Sequence, residues 1–191
     1  MNRLRLLIAT LSTVMCTVPF SVAQSPIPNS PQGFQQQYHA VFESFQAHND
    51  SELQSRLDSF AIPTHWFKET FTPDRTSELA AQYAKEFAEF KKRTAANFAA
   101  IEPLKVRLNV DPAIPVDIRT RRWTVAEDTM SMQRPPGLRA PLPQAQKFAI
   151  DVVATSGQYG RLTSSIEAFI FFDGAFRYFG RQGRPFWVNK P

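Results

Sequence analysis

The apolar residues of this chain change their period once, near residue 102, and that change limits the folds open to it. Before it, aromatic and aliphatic side chains recur every three or four positions; after it, they alternate. In the first part, Ser30 and Pro31 are a cap and a first-turn residue for a helix carrying Phe34, Tyr38, Val41, Phe42 and Phe45 on one face. Leu53, Leu57 and Phe60 mark a second short helix, and Trp66 to Phe71 a third. The longest regular segment, Thr76 to Ile101, carries a stripe of Leu79, Tyr83, Phe87, Phe90, Phe98 and Ile101. Thr94 fills the gap in that stripe, where its hydroxyl is expected to bond the carbonyl one turn back.

After Glu102 and Pro103 the alternation of Leu104, Val106, Leu108 and Val110 predicts a half-buried strand over 104–110. Further strands are predicted over 116–125, 147–154 (Phe148, Ile150 and Val152 on one face), 161–172 and 175–180. "PFWV" at 185–188 reads as a short edge strand. Helices first and strands second predict an α+β domain, with the helices on one face of an antiparallel sheet of about five strands.

The ends and the composition bound the setting. "MNRLR", the apolar "LLIATLSTVMCTVPF" and the small residues of "SVAQS" predict a signal peptide over 1–23, cut after Ala23, and so a secreted or periplasmic protein. No transmembrane segment is expected once it is removed. The one cysteine, Cys16, lies in that leader, so residues 24–191 enter an oxidising space with packing alone to hold them. Residues 24–33, "QSPIPNSPQG", read as a disordered arm, and 34–191 as one domain: a helical part at 34–101 and a sheet part at 104–188. Within the sheet part, 126–146 is a Pro-rich loop with no periodicity, suited to a lid or a partner-binding segment. The mature chain is acidic over 24–102, with seven basic and ten acidic side chains, and basic over 103–191, with thirteen and seven. Such a second half suits an anionic partner, although export excludes nucleic acid as the expected one.

Near the end, "FIFFDGAFRYFG" places Asp173-Gly174 between apolar runs, the signature of a two-residue type I′ hairpin. That turn sets 172 opposite 175, 171 opposite 176, 170 opposite 177 and 169 opposite 178. Phe169, Phe171, Phe176 and Tyr178 then share one face; Ile170, Phe172, Ala175, Arg177 and Phe179 share the other. Helices on one side cover only one of these faces, so the second is expected to meet the 126–146 loop, a second copy of the chain, or a ligand. Arg177 in mid-strand needs an anion or several acceptors. Glu167, expected opposite Gly180, raises the same question.

Catalytic signatures are missing. His39, His48 and His65 lie on separate segments without metal-ligand spacing, and no metal or cofactor is expected. No nucleophile motif or glycine-rich phosphate loop occurs. The one acid–base candidate is His65 with Glu69 at i,i+4, with Asp151 as a further partner.

"LDSFAIPTHWFKETF", "LAAQYAKEFAEF" and "FIFFDGAFRYFG" together give a layout that resembles the nuclear transport factor 2-like α+β superfamily, in particular the periplasmic phospholipid carriers of the toluene-tolerance type. The resemblance implies a curved sheet with an apolar cavity between it and the helices; the lack of β structure before residue 103 departs from that superfamily's usual order. The leading expectation is an exported, non-enzymatic domain binding an apolar or amphipathic small molecule or lipid. Phe169, Phe171, Phe176 and Tyr178 would form its wall, and Arg177 or Trp123 a polar mouth. The alternatives are an envelope interaction module that dimerises through the aromatic face, and a small hydrolase or isomerase using His65.

Overall fold

A computed structural model describes residues 26–123, 135, 137–155, 160–181 and 184–188; the expected leader and the expected loop up to residue 134 lie outside the described residues. Among the described residues five helices precede four strands: α1 Pro31–Gln46, α2 Asp50–Asp58, α3 Thr64–Thr70, α4 Pro73–Ala99, α5 Ile101–Arg107, then β1 Val116–Arg122, β2 Ala145–Ala154, β3 Arg161–Phe172 and β4 Ala175–Arg181. The strands form one antiparallel, curved, open sheet in the order β1-β2-β3-β4. The α+β class holds, with four strands in place of about five.

α1 starts where its caps dictate, the Ser30 hydroxyl accepting from Gly33 N at 3.1 Å. The sequence offers 31–33 both as the end of the arm and, through Pro31, as a helix start, and they are the first turn of α1. Ile27 packs against the core and Asn29 accepts from Gln146 Nε2 at 2.8 Å, so residues 27–33 are corrected from arm to body. The α4 stripe of Leu79, Tyr83, Phe87, Phe90, Thr94 and Phe98 is buried as its spacing demands. Thr94 hydrogen-bonds the Tyr38 phenol of α1, joining two core faces.

The strand expected over 104–110 is instead α5. A strand there would have to bury Val106 and Leu108, which are 75% and 48% exposed. Helical spacing buries Ile101 and Lys105, and the Lys105 ammonium reaches Pro112 O and Glu102 Oε1, each at 3.1 Å. Pro103, in the first turn where a missing N–H costs nothing, is the helical signal that alternation hid. The "PFWV" edge strand is also corrected: 186–188 form a turn.

The hairpin has the register its turn requires. Asp173 and Gly174 take φ of 52° and 69°, and Phe169, Ile170, Phe171 and Phe172 face Tyr178, Arg177, Phe176 and Ala175. Past Phe169 the pairing shifts by one, so Ala168 faces Gly180 and Glu167 faces Arg181, not Gly180.

Both faces of the hairpin are covered from within the chain. Phe169 and Tyr178 pack on Phe90 of α4, with Tyr178 stacked on it at 4.3 Å; Phe176 meets Phe34 of α1 at 5.3 Å. The loop after α2 then passes along the edge of β4, its Phe60 carbonyl accepting from Tyr178 N at 2.8 Å. This crossing brings α3 round the edge, where the His65 ring lies 5.8 Å from Phe172. The C-terminal turn finishes the cover: Trp187 lies 5.0 Å from Phe179, and Phe186 packs between Phe179, Phe67 and Tyr83. Ile170 is accordingly fully buried. The expectation that helices shield one face only fails because the helical half wraps the sheet's edge.

Two glutamines of α1 reach edge groups of the outer strands. Gln35 donates to Ile118 O and accepts from Thr120 N on β1, both at 2.6 Å. Gln37 accepts from Phe176 N at 2.9 Å and donates to Phe176 O at 3.1 Å on β4. One helix thus occupies hydrogen-bonding groups on both outer strands, closing them to another chain at those points.

Candidate functional site

The groups singled out by sequence are divided between clefts on different sides of the hairpin. The smaller, about 420 Å³, lies at the hairpin tip beside α1 and α2 and includes Arg177 with Gln37, Arg56 and Gly174. Arg177 there is committed to the fold: its guanidinium donates to Ser59 O at 2.6 Å, and to Ala61 O and Phe172 O at 3.3 Å. Burial holds its pKa below the usual arginine value.

The larger cleft, about 610 Å³, includes Trp123. Its other described lining comes from α4 (Arg93, Asn97), β2 (Lys147), β3 (Ser164 to Glu167) and β4 (Arg181). The expected mouth residues Arg177 and Trp123 therefore belong to different clefts. The expected wall is core: Phe169, Phe176 and Tyr178 are fully buried and line neither cleft, and half-buried Phe171 packs edge-on against Phe176 at 5.1 Å.

The acid–base candidates are also dispersed. His65 and Glu69 are both exposed on α3. Asp151 pairs with Ser164 across β2 and β3, eight residues along β3 from the Phe172 that adjoins His65. That is about 26 Å of strand, too far for Asp151 to serve His65. Asp151 instead accepts from Ser164 Oγ at 2.6 Å and faces Arg121 and Arg161 at 3.5 and 3.6 Å. Among the described residues no group of histidines and acids is arranged to hold a metal ion, and no helix is long and apolar enough to cross a membrane.

What the larger cleft does contain is a charged cluster. Glu167 stands on the same face of β3 as Phe169, so its carboxyl is directed to the helical layer and is only 5% exposed. Arg93 of α4 meets it, with Nη2 3.7 Å from Glu167 Oε2 and 3.7 Å from Glu86 Oε1. Arg93 also donates to the Tyr178 hydroxyl at 3.1 Å, which donates in turn to Glu86 at 2.9 Å. The one-residue shift in β4 sets Arg181 opposite Glu167. Two cations do not offset the desolvation: burial pushes the Glu167 carboxyl up to about 7, against the pull of Arg93 and Arg181 and with a smaller push from Glu86. Burial also raises the Tyr178 phenol, helped by Glu167 and Glu86.

Among the described residues, Glu167 Oε2 and Arg93 Nε are buried without a hydrogen bond. Buried polar atoms are paired in the great majority of cases, so an acceptor and a donor unmet in one cleft single it out. Sequence reasoning picked out Glu167 but not Arg93, Glu86 or Arg181. The signal was present: Glu86, Arg93 and Asn97 flank the apolar stripe at helical spacing. Arg181 had none, because the bulge that positions it leaves no mark in the sequence.

No protein-family model, curated protein or solved structure matches this chain significantly.

Proposed function

We propose that the chain is an exported, non-enzymatic binding domain for a small amphipathic molecule, held in the cleft between α4 and strands β2 to β4. The observation that carries this reading is Glu167, a nearly fully buried carboxyl with an unmet oxygen in an open cleft of about 610 Å³. That volume is in the range of small-molecule sites, which combine an apolar surface with a few fixed polar groups. Trp123, Ala96 and Ile166 supply apolar surface; Arg93, Asn97, Lys147, Glu167 and Arg181 supply polar groups. The leader-like first 23 residues support export, and helices followed by a curved sheet support the kinship in layout with periplasmic lipid carriers. The ligand's place differs from the aromatic wall first expected, since those rings are spent on the core.

Native mass spectrometry of protein purified gently from its exporting host tests this, alongside thermal shift with a panel of single-chain amphiphiles. The expected result is a co-purifying small molecule, or a panel member that raises Tm, with the effect lost in Trp123→Ala while the fold is retained. A protein that is empty after gentle purification and indifferent to the whole panel would overturn the reading.

A further inference from the structure

We propose that the molecule held in this cleft is a short peptide in extended conformation, added as a strand to a free edge of β3. This rests on the cleft being the binding site and names the chemistry of its ligand.

The edge is open because β4 is shorter than β3. β2 pairs with β3 from Arg161 to Ile170, whereas β4 reaches back only to Glu167, opposite Arg181. There the chain turns away, the Arg184 amide donating to Arg181 O at 2.8 Å. Residues 161–166 therefore have no strand on that side among the described residues.

The phase of the pairing decides which groups are left. In an antiparallel pair, opposite residues either bond each other or both turn away. Gln37 and Phe60 O take the outward groups of Phe176 and Tyr178, so Phe171 and Phe169 opposite them turn to β2. From the other side, Gln35 takes outward groups of Ile118 and Thr120. Val152 and Ile150 opposite these turn to β3, onto Thr163 and Ser165. Both ends of the sheet give the same phase. Ser164 and Ile166 thus direct their N–H and C=O to the open edge, where no backbone group among the described residues meets them.

The larger cleft runs along these groups. Ser164 and Ile166 point their side chains to one face of the sheet, Ser165 and Glu167 to the other, so a cleft lined by all four lies at the strand's edge. Arg93, Ala96 and Asn97 of α4 wall it on the helical side, and Lys147, which faces Ala168, on the other. Its charges balance, because Arg93 and Arg181 face Glu86 and Glu167, and Lys147 is partnered. A neutral occupant with a donor and an acceptor at each residue fits such a place, and a peptide main chain is one. A second copy of the chain fits less well, since its own β3 edge is recessed in the same cleft.

The test begins with a random seven-residue peptide library displayed on phage and selected against the full mature chain. Selected sequences are remade with both ends blocked and titrated by isothermal calorimetry. Binding is expected to survive the blocking. N-methylation of every second residue, at the amides facing Ser164 and Ile166, should weaken it at least about tenfold, and N-methylation of the residues between them by less than about twofold. Hydrogen exchange at the Ser164 and Ile166 amides should slow by at least about tenfold on binding. Ser164→Pro removes an outward donor without breaking a bond to β2, and should weaken the peptide at least about tenfold while circular dichroism shows the fold retained. A selected peptide indifferent to the N-methylation pattern would overturn the added strand. No selected peptide, alongside an amphiphile that binds in a Trp123-dependent way, would overturn the peptide assignment and leave the binding function standing. If neither a peptide nor an amphiphile binds and the protein also purifies empty, both readings fail.

Discussion

Glu167 costs the fold free energy when it is ionised, and that cost is measurable without any ligand. Its folded pKa of about 7 lies above the ordinary 4.5, so the native chain holds a proton that the unfolded chain has lost. Below pH 4.5 both states are protonated and the group contributes nothing. As pH rises from 4.5 to 7 its contribution becomes steadily less favourable. Above 7 it is constant, on the order of 3 kcal/mol, because each tenfold change in proton affinity is worth about 1.4 kcal/mol. Glu167→Gln removes the ionisation but keeps the shape, while Arg93 retains Glu86 and Tyr178. The variant is therefore expected to match the wild type near pH 4.5 and to exceed it by about 2–3 kcal/mol above pH 7.5, in urea unfolding repeated across the pH range. A difference that does not change with pH would mean that the carboxyl is solvated and titrates normally.

At the scale of elements, what could be read from the sequence depended on whether the cause was local. The hairpin register was legible because Asp173-Gly174 needs two positive φ values, and only one pairing follows from such a turn. α1 and α4 were legible from caps and a 3.6-residue stripe. α5 was not, since seven residues carry too few turns to separate helical spacing from alternation, and its burial is settled by contacts elsewhere. The glutamine clamps were invisible for the same reason: nothing in "FQQQY" says that Gln35 will reach β1 and Gln37 β4. Their energetic weight follows from burial. The Gln37 bonds to Phe176 are buried, those of Gln35 only partly so. Gln37→Leu leaves a backbone donor and acceptor unmet where water does not reach, at about 1–3 kcal/mol each. Gln35→Leu leaves groups that water can meet. Urea unfolding is expected to place Gln37→Leu at least about 2 kcal/mol below wild type and Gln35→Leu about 1 kcal/mol below. Equal, small losses would show that β4 is not held by this amide.

For the molecule as a whole, the last described residues act as a wedge between the two halves rather than as a tail. Phe186 is fully buried against Phe67 of α3, Tyr83 of α4 and the bulged Phe179 of β4, and its amide donates to Phe179 O at 2.9 Å. The chain turns back closely enough that Gly180 is required: a Cβ there would overlap the Arg184 carbonyl. The short edge strand expected of "PFWV" would contribute little, because peripheral strands bury few side chains. A wedge shared by three elements contributes as core does. Phe186→Ala is therefore expected to destabilise by about 3–5 kcal/mol, as much as Phe169→Ala in the centre of the sheet. Gly180→Ala should lower stability through the same joint, and combining it with Phe186→Ala should cost less than the two losses added, since both undo one docking. Urea unfolding followed by tryptophan fluorescence measures all three, with Trp187 next to the joint as a local reporter. A Phe186→Ala loss below about 1 kcal/mol, or full additivity with Gly180→Ala, would show that the C-terminal turn does not dock as a unit and that the far face of the hairpin depends on another cover.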